Sequence, residues 1–328
     1  MLLATGTAWS QLNPIPKESG FSGFVNVGTM YLDVKTNMLA GNEVTDVGHD
    51  VITSLSTGPN NKDDVIPVFD FNLRYTFART RTQLFFGNSL EDFLRFDFAT
   101  QAGVRQGISD KSSVSAAFIL SSLPAQVWAD PYVVNTPRQK TDRTSSGARL
   151  NWENVLDSNF TAEYTYRKID IDNEVSGLTQ LGLPFAQASL LRREGDQKEA
   201  ELSYVWQAAP RHTFVPAYHF TKFNLDGAAM SNSSNAVQLT YAYRGDTVSI
   251  VANAVYESSD YDQANPIYLL TREDDTYTVG TQIFWHRPFG APKGWSLLGT
   301  FAYVDSQSNI DFYDERVFAA GLSAFYRF

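Results

Sequence analysis

The chain has 328 residues and no cysteine, enough for one large domain or two ordinary ones, and this removes disulfide frameworks, thiol nucleophiles and cysteine metal clusters. A net charge of −10, a sequence pI near 4.9 and the lack of any Lys and Arg cluster argue against a phosphate-binding surface, so no nucleic-acid partner is expected. Mean hydropathy is −0.25 and no stretch approaches the ~18 to 20 consecutive apolar residues of a membrane helix, which leaves strands as the way this chain could cross a bilayer.

In chain order, Met1 to Ser10 (MLLATGTAWS) carries apolar and small residues like the tail of an export signal, without its basic start. Residues 1–16 are therefore expected to be a residual signal peptide or N-terminal tail, with the mature start near Gln11 to Pro16, and residues 17–328 an outer-membrane β-barrel. From there the chain alternates apolar and polar side chains in about fourteen predicted strands: 21–34, 65–78, 82–90, 93–107, 112–123, 144–155, 158–171, 196–208, 212–225, 235–244, 247–258, 275–286, 295–305 and 315–328. Each is near or above the ~9 to 11 residues that a tilted spanning strand needs.

Connections alternate in length, as they must when one barrel rim faces outside. The short turns 78–81, 108–111, 156–157, 209–211, 244–246 and 288–294 are assigned to the periplasmic rim, and the long polar segments 35–64, 124–143, 172–195, 226–234, 259–274 and 306–314 to the cell exterior. The connection near Leu90 to Asp92 is too short for an outer loop, which leaves twelve strands as the alternative count. The fold class expected is all-β: a transmembrane antiparallel up-and-down β-barrel in the bacterial outer membrane.

Aromatic depth gives a check that the strand boundaries did not use, because Trp and Tyr prefer an interface that buries the ring and wets its polar atom. Trp152, Trp206, Trp285 and Trp295 fall at the periplasmic rim, whereas Tyr31, Tyr166, Tyr256, Tyr277 and Tyr303 fall at the opposite one. The last strand puts Phe318, Ala320, Leu322, Ala324, Tyr326 and Phe328 on one face and Ala319, Gly321, Ser323 and Arg327 on the other, with Phe325 alone out of phase.

The same alternation assigns Asp70, Arg74, Arg95, Asp97, Gln101, Arg105, Arg149, Glu163, Arg167, Glu199 and Glu201 to the interior, where both signs of charge occur on successive strands. Such residues either neutralise one another across a wet interior or form a substrate track. The long loops are acidic, with Asp46, Asp50, Asp63 and Asp64 in the first, Glu273, Asp274 and Asp275 bounding the sixth and Asp311, Asp314 and Glu315 in the last, so a cation preference is expected of any pore. Carboxylates such as Asp170, Asp172 and Glu174, or Asp260 and Asp262, do not fit the twelve-residue calcium loop, and neither metal nor cofactor is expected. In the fourth long loop, Leu183 to Glu194 (LPFAQASLLRRE) is helix-compatible after its Pro, and it folds either into the interior or onto the rim.

A barrel enzyme would need a nucleophile, a base and an orienting group. His49 lies in a loop and His212 and His286 near turns; His219 alone is well inside a strand, and no histidine motif accompanies Asp157 and Ser158. No enzymatic activity is expected.

The stretch Thr80 to Gln106 (TRTQLFFGNSLEDFLRFDFATQAGVRQ), with GFSGFVNVG from Gly20, DPYVV from Asp130, LTYAYRG from Leu239 and SNIDFYDERV from Ser308, resembles the bacterial family known as domain of unknown function 2860. The resemblance implies an outer-membrane protein and brings no activity or site residues. The terminal Phe328 likewise resembles the signal read by the bacterial barrel-assembly machinery. The function expected is that of a monomeric, porin-like passive channel for small polar or cationic solutes, with outer-membrane lipids, lipopolysaccharide and the assembly machinery as partners. The alternative is a plugged barrel acting as surface receptor, adhesin or structural anchor, and the two are separated by whether the first and fourth long loops fold inward.

Overall fold

The computed structural model describes residues 15–88 and 98–328. Residues 1–14 of the expected signal remnant, the connection near Leu90 to Asp92 and the interior positions Arg95 and Asp97 lie outside the described residues.

Among the described residues, one sheet of eighteen segments contains all the strands. In chain order they are β1 Gly20–Lys35, β2 Leu39–Asn42, β3 Thr45–Asp46, β4 Asn61–Phe77, β5 Thr82–Asn88, β6 Phe98–Gly107, β7 Ser113–Leu123, β8 Ala125–Trp128, β9 Lys140–Glu153, β10 Phe160–Ile171, β11 Gly195–Tyr204, β12 Trp206–Ala209, β13 His212–Leu225, β14 Asn232–Arg244, β15 Val248–Ala264, β16 Thr271–His286, β17 Trp295–Ser308 and β18 Glu315–Arg327. β2, β3 and β8 belong to loops, and β11 and β12 are one strand interrupted at Val205, so fourteen strands make the wall. Every neighbouring pair is antiparallel, and β18 returns to β1 in an unbroken register from Phe24↔Arg327 to Lys35↔Arg316. The barrel is therefore closed, with no free edge at its seam.

Alternation explains why these sequences close a barrel instead of stacking two sheets. Along β4, Val65, Phe69 and Leu73 point out and are exposed, while Ile66, Val68, Asp70, Asn72 and Thr76 point in and are buried. β18 divides as its sequence predicts, and its out-of-phase Phe325 turns inward to stack on Phe24 at 5.0 Å and meet Phe284 edge-on at 5.2 Å. The outer surface thus carries Val27, Leu84, Phe118, Leu150, Val237, Ile283 and Leu322 in one ring of apolar side chains.

Strand count and order agree with expectation, but several strands run further at the long-loop end. β4 starts at Asn61, β9 at Lys140 and β16 at Thr271, and β15 continues to Ala264. These extensions are polar on both faces, so no alternation marks them; backbone pairing with the neighbouring strand suffices to form them. At the other end the turns are tight: Leu156 and Asp157, like Arg287 and Phe289, adopt left-handed backbone conformations.

Candidate functional site

The long loops are folded together. The first turns back into the barrel as the hairpin of β2 and β3, and Leu39 and Gly41 of β2 pair with Val127 and Gln126 of β8, which is itself paired to β9. Val47, just past this hairpin, packs on an interior apolar patch of Met30, Leu32, Val34, Ile66, Val68, Val304 and Val317, with Leu39 at its margin. A second apolar cluster draws Ile52 from the first loop, Tyr132 from the third, Leu191 from the fourth, Met230 from the fifth and Ile310, Phe312 and Tyr313 from the last, with Ile267 and Tyr268 of the sixth against it. Six loops therefore share one core, which caps the long-loop end of the barrel.

Polar staples fix this cap. Arg138 donates to the carbonyls of Asn37 (2.8 Å), Pro131 (3.2 Å) and His49 (2.5 Å), with its guanidinium carbon 4.1 Å from the centroid of the fully buried Trp128 ring. Asp130 accepts from the backbone N–H groups of Tyr132, Gly177 and Thr179 and from the Thr179 hydroxyl, tying the third loop to the fourth. Arg193 pairs with Glu174 at 2.7 Å and reaches the Trp128 carbonyl at the same distance. The Tyr132 and Tyr313 hydroxyls lie 2.6 Å apart, and Asn265 donates to Tyr313 at 2.7 Å. In the fourth loop a short helix, α1 (Phe185–Ala188), runs into a single 3-10 turn that delivers Leu191 to the core.

Below the cap one wall is charged. On β6 and β9, Arg105 contacts Glu153, and Ser113 bridges them, accepting from Arg105 at 3.1 Å and donating to Glu153 at 2.8 Å. On β9 and β10, Arg149 pairs with Glu163 at 3.0 Å, and Asn151 donates to the same carboxylate at 2.9 Å. Arg167 is buried one step along β10, and Glu199 and Glu201 of β11 lie 3.8 and 3.6 Å from Nδ1 of the buried His219. Asp70 faces inward on the other side and accepts from Asn26 at 2.9 Å. Of the interior residues proposed from sequence, the described ones all face inward.

The short-turn end of the interior carries a second group, assembled from strands far apart in sequence. Arg74, held by Asn72 at 2.6 Å, lies within electrostatic reach of Glu153 as well as of Arg105 and Arg327, and Arg327 within reach of Arg244. His286 sits between two hydroxyls, with Nε2 2.7 Å from Ser249 Oγ and Nδ1 3.0 Å from Ser296 Oγ. Arg244, expected from sequence at the junction of strand 235–244 and the turn 244–246, ends β14 facing inward opposite Ser249.

The aromatic residues form two outward bands. Trp152, Trp206, Trp285 and Trp295 lie at the short-turn end, and Trp152 donates to Ser112 at 2.9 Å. Tyr31, Tyr166, Tyr256 and Tyr303 lie at the other end, where the Tyr166 and Tyr256 hydroxyls donate to Asp196 and Asp275. Phe328 pairs its backbone with Gly23 beside the closing seam.

Residues 20–327 match the model of the family described as protein of unknown function DUF2860, and the chain belongs to that family. No curated protein matches it. Among solved structures it is similar to a FadL homologue of Pseudomonas aeruginosa (TM-score 0.48, 14% identity, 96% of this chain and 92% of that one). It is also similar to the outer membrane channel DcaP of Acinetobacter baumannii (TM-score 0.47, 9% identity, 95% and 97%).

Proposed function

We propose that this member of the DUF2860 family is a monomeric outer-membrane channel for small polar solutes, closed at its outer mouth by the loop cap. The observation that carries the reading is the contrast between the two faces of one closed wall: an apolar ring between two aromatic bands outside, and paired charges with Ser, Thr, Asn and Gln inside. Such a wall suits lipid on one face and water on the other. The long loops then face the cell exterior and its lipopolysaccharide, and the short turns face the periplasm.

A cation preference drawn from the acidic loops is weakened by their pairing. Asp46 lies between Lys62 at 2.8 Å and Lys140 at 3.2 Å, Lys222 holds Asp262 at 2.7 Å, and Arg272 holds Asp274 at 2.7 Å. Partial burial pushes the Asp46 carboxyl up, and the two lysines outweigh it to hold the group below its ordinary value. These three carboxylates are therefore locally neutralised by basic residues of the loops and strand ends.

The cap itself favours a second reading, a plugged barrel whose packed loops serve as receptor, adhesin or anchor. Planar-bilayer recording of the refolded protein separates them. The channel reading expects a wild type that conducts rarely and an Arg138→Ala variant, with the first loop released, that shows discrete steps. A variant that inserts and remains heat-modifiable yet silent transfers the assignment to the plugged barrel.

A further inference from the structure

We infer that Asp70 and the apolar interior wall on its loop side form a binding site for an alkylammonium ion, with the charged head at Asp70 and the hydrocarbon on the wall. This rests on reading the interior as a solute path and names a class of solute. Asp70 of β4 and Asn26 of β1 stand directly opposite each other, both facing inward and only 5% and 3% exposed. Asn26 Nδ2 donates to Asp70 Oδ2 at 2.9 Å, and among the described residues no Lys or Arg pairs with this carboxylate. Arg74, two inward positions along β4, gives its Nε–H to Asn72 instead. Asn26 Oδ1 is buried and accepts no hydrogen bond among the described residues. A buried carboxylate unmatched by a cation is costly, and so is a buried amide oxygen without a donor. An ammonium group answers both, because it carries a positive charge and three N–H donors.

The neighbours of Asp70 choose among cations. Toward the loops, the next inward positions of β4 are Val68 and Ile66, and Met30 of β1 stands opposite Ile66. All three belong to the apolar patch on which Val47 of the first loop packs. Successive inward side chains on a strand are about 7 Å apart, so a chain of about six carbons on the ammonium group runs from Asp70 along Val68 toward Ile66. Its hydrocarbon and the Val47 side chain then compete for one apolar surface, which either of them removes from water. A bare inorganic cation leaves that wall unused. An alcohol of the same length lacks the charge, and a carboxylate is repelled by Asp70.

Isothermal titration calorimetry on the full-length protein in detergent at pH 8 tests this, with hexylammonium, methylammonium, hexanol and hexanoate as probes. Wild type is compared with Arg138→Ala, the variant expected to release the first loop. The expected result is saturable hexylammonium binding, tighter in Arg138→Ala, that weakens at least tenfold when Asp70→Asn is added, with the other three probes at least tenfold weaker. Micelles take up the amine equally in every variant, so the part of the signal lost with Asp70 is the site. Absence of hexylammonium binding in both proteins, equal binding in a heat-modifiable Asp70→Asn, or hexanol or hexanoate binding as tightly overturns the site. Methylammonium binding as tightly overturns the role of the apolar wall, and equal affinity in wild type and Arg138→Ala overturns the competition with Val47. If Asp70→Asn fails to fold, hexylammonium against hexanol and hexanoate carries the charge comparison. Because calorimetry needs no current, binding by a barrel that stays silent after cap release keeps this site and removes the channel, whereas discrete conductance steps without binding keep the channel and remove the site.

Discussion

Arg138 adds its side-chain hydrogen bonds to a junction between the first and third loops that strand pairing and a shared apolar core also hold. Burial pushes its guanidinium down to about 10, which leaves it charged at neutral pH. Its donors go to carbonyl oxygens on both sides of the junction between the first and third loops. A hydrogen bond from a charged group contributes about 1.5 to 3 kcal/mol and contact with an indole face about 1 kcal/mol, but such terms do not add in full when the freed carbonyls can turn to water. Arg138→Ala is expected to weaken loop docking by about 2 to 4 kcal/mol, read as faster proteolytic nicking within 36–60 while the barrel keeps its heat-modifiable mobility; unchanged nicking counts against the staple. Glu174→Ala should act more strongly, because it leaves Arg193 buried without its carboxylate, a loss of about 3 to 5 kcal/mol measurable by the same nicking assay within 172–194.

At the scale of the loops, the cap responds to pH through its paired phenols. Burial pushes both Tyr132 and Tyr313 up, and Tyr313 beside it raises Tyr132 further. A group whose folded value exceeds its free value of about 10 contributes its full stability below that pH and loses it as pH rises beyond it. The cap should therefore hold through neutral pH and loosen above about pH 10, and bilayer recordings at pH 8 and pH 11 should show current rising at the higher value. The double variant Tyr132→Phe, Tyr313→Phe should reduce that pH dependence to the part that remains from Arg138, which loses its proton over the same range. A wild type indifferent to alkaline pH would show that the phenols do not govern closure. None of this was legible in the sequence. Tyr132, Ile310 and Phe312 sit among acidic and turn-forming neighbours with no period, and a core assembled from six loops leaves no pattern in any one of them.

The barrel as a whole was legible for the opposite reason: each strand separates two media, so a period of two is written into every strand, and β18 could be read to the single residue Phe325. Interior orientation followed from the same period. What alternation cannot give is which strands influence each other across the interior, so the electrostatic coupling of Arg327 with Arg244, on strands far apart in sequence, left no signal in either strand. Closure itself depends on a close approach at the seam. A Cβ on Gly28 would lie 2.3 Å from the Leu322 carbonyl oxygen and from the Ser323 Cβ. Gly28→Val should prevent the final pairing of β1 with β18, and cold SDS electrophoresis should show loss of the compact, fast-migrating form; normal migration would mean the seam can shift to accept the side chain.

Because six of the described loops contribute to one core, none of the six is an independent piece of surface. A peptide copied from a single loop lacks the neighbours that shape it, so antibodies raised against such a peptide will recognise the denatured chain and miss the folded protein. Epitopes on the folded protein are composite. The same interdependence governs engineering: exchanging one loop for that of another barrel removes a share of the common core from the five that remain, and a successful graft has to replace the cap as a unit.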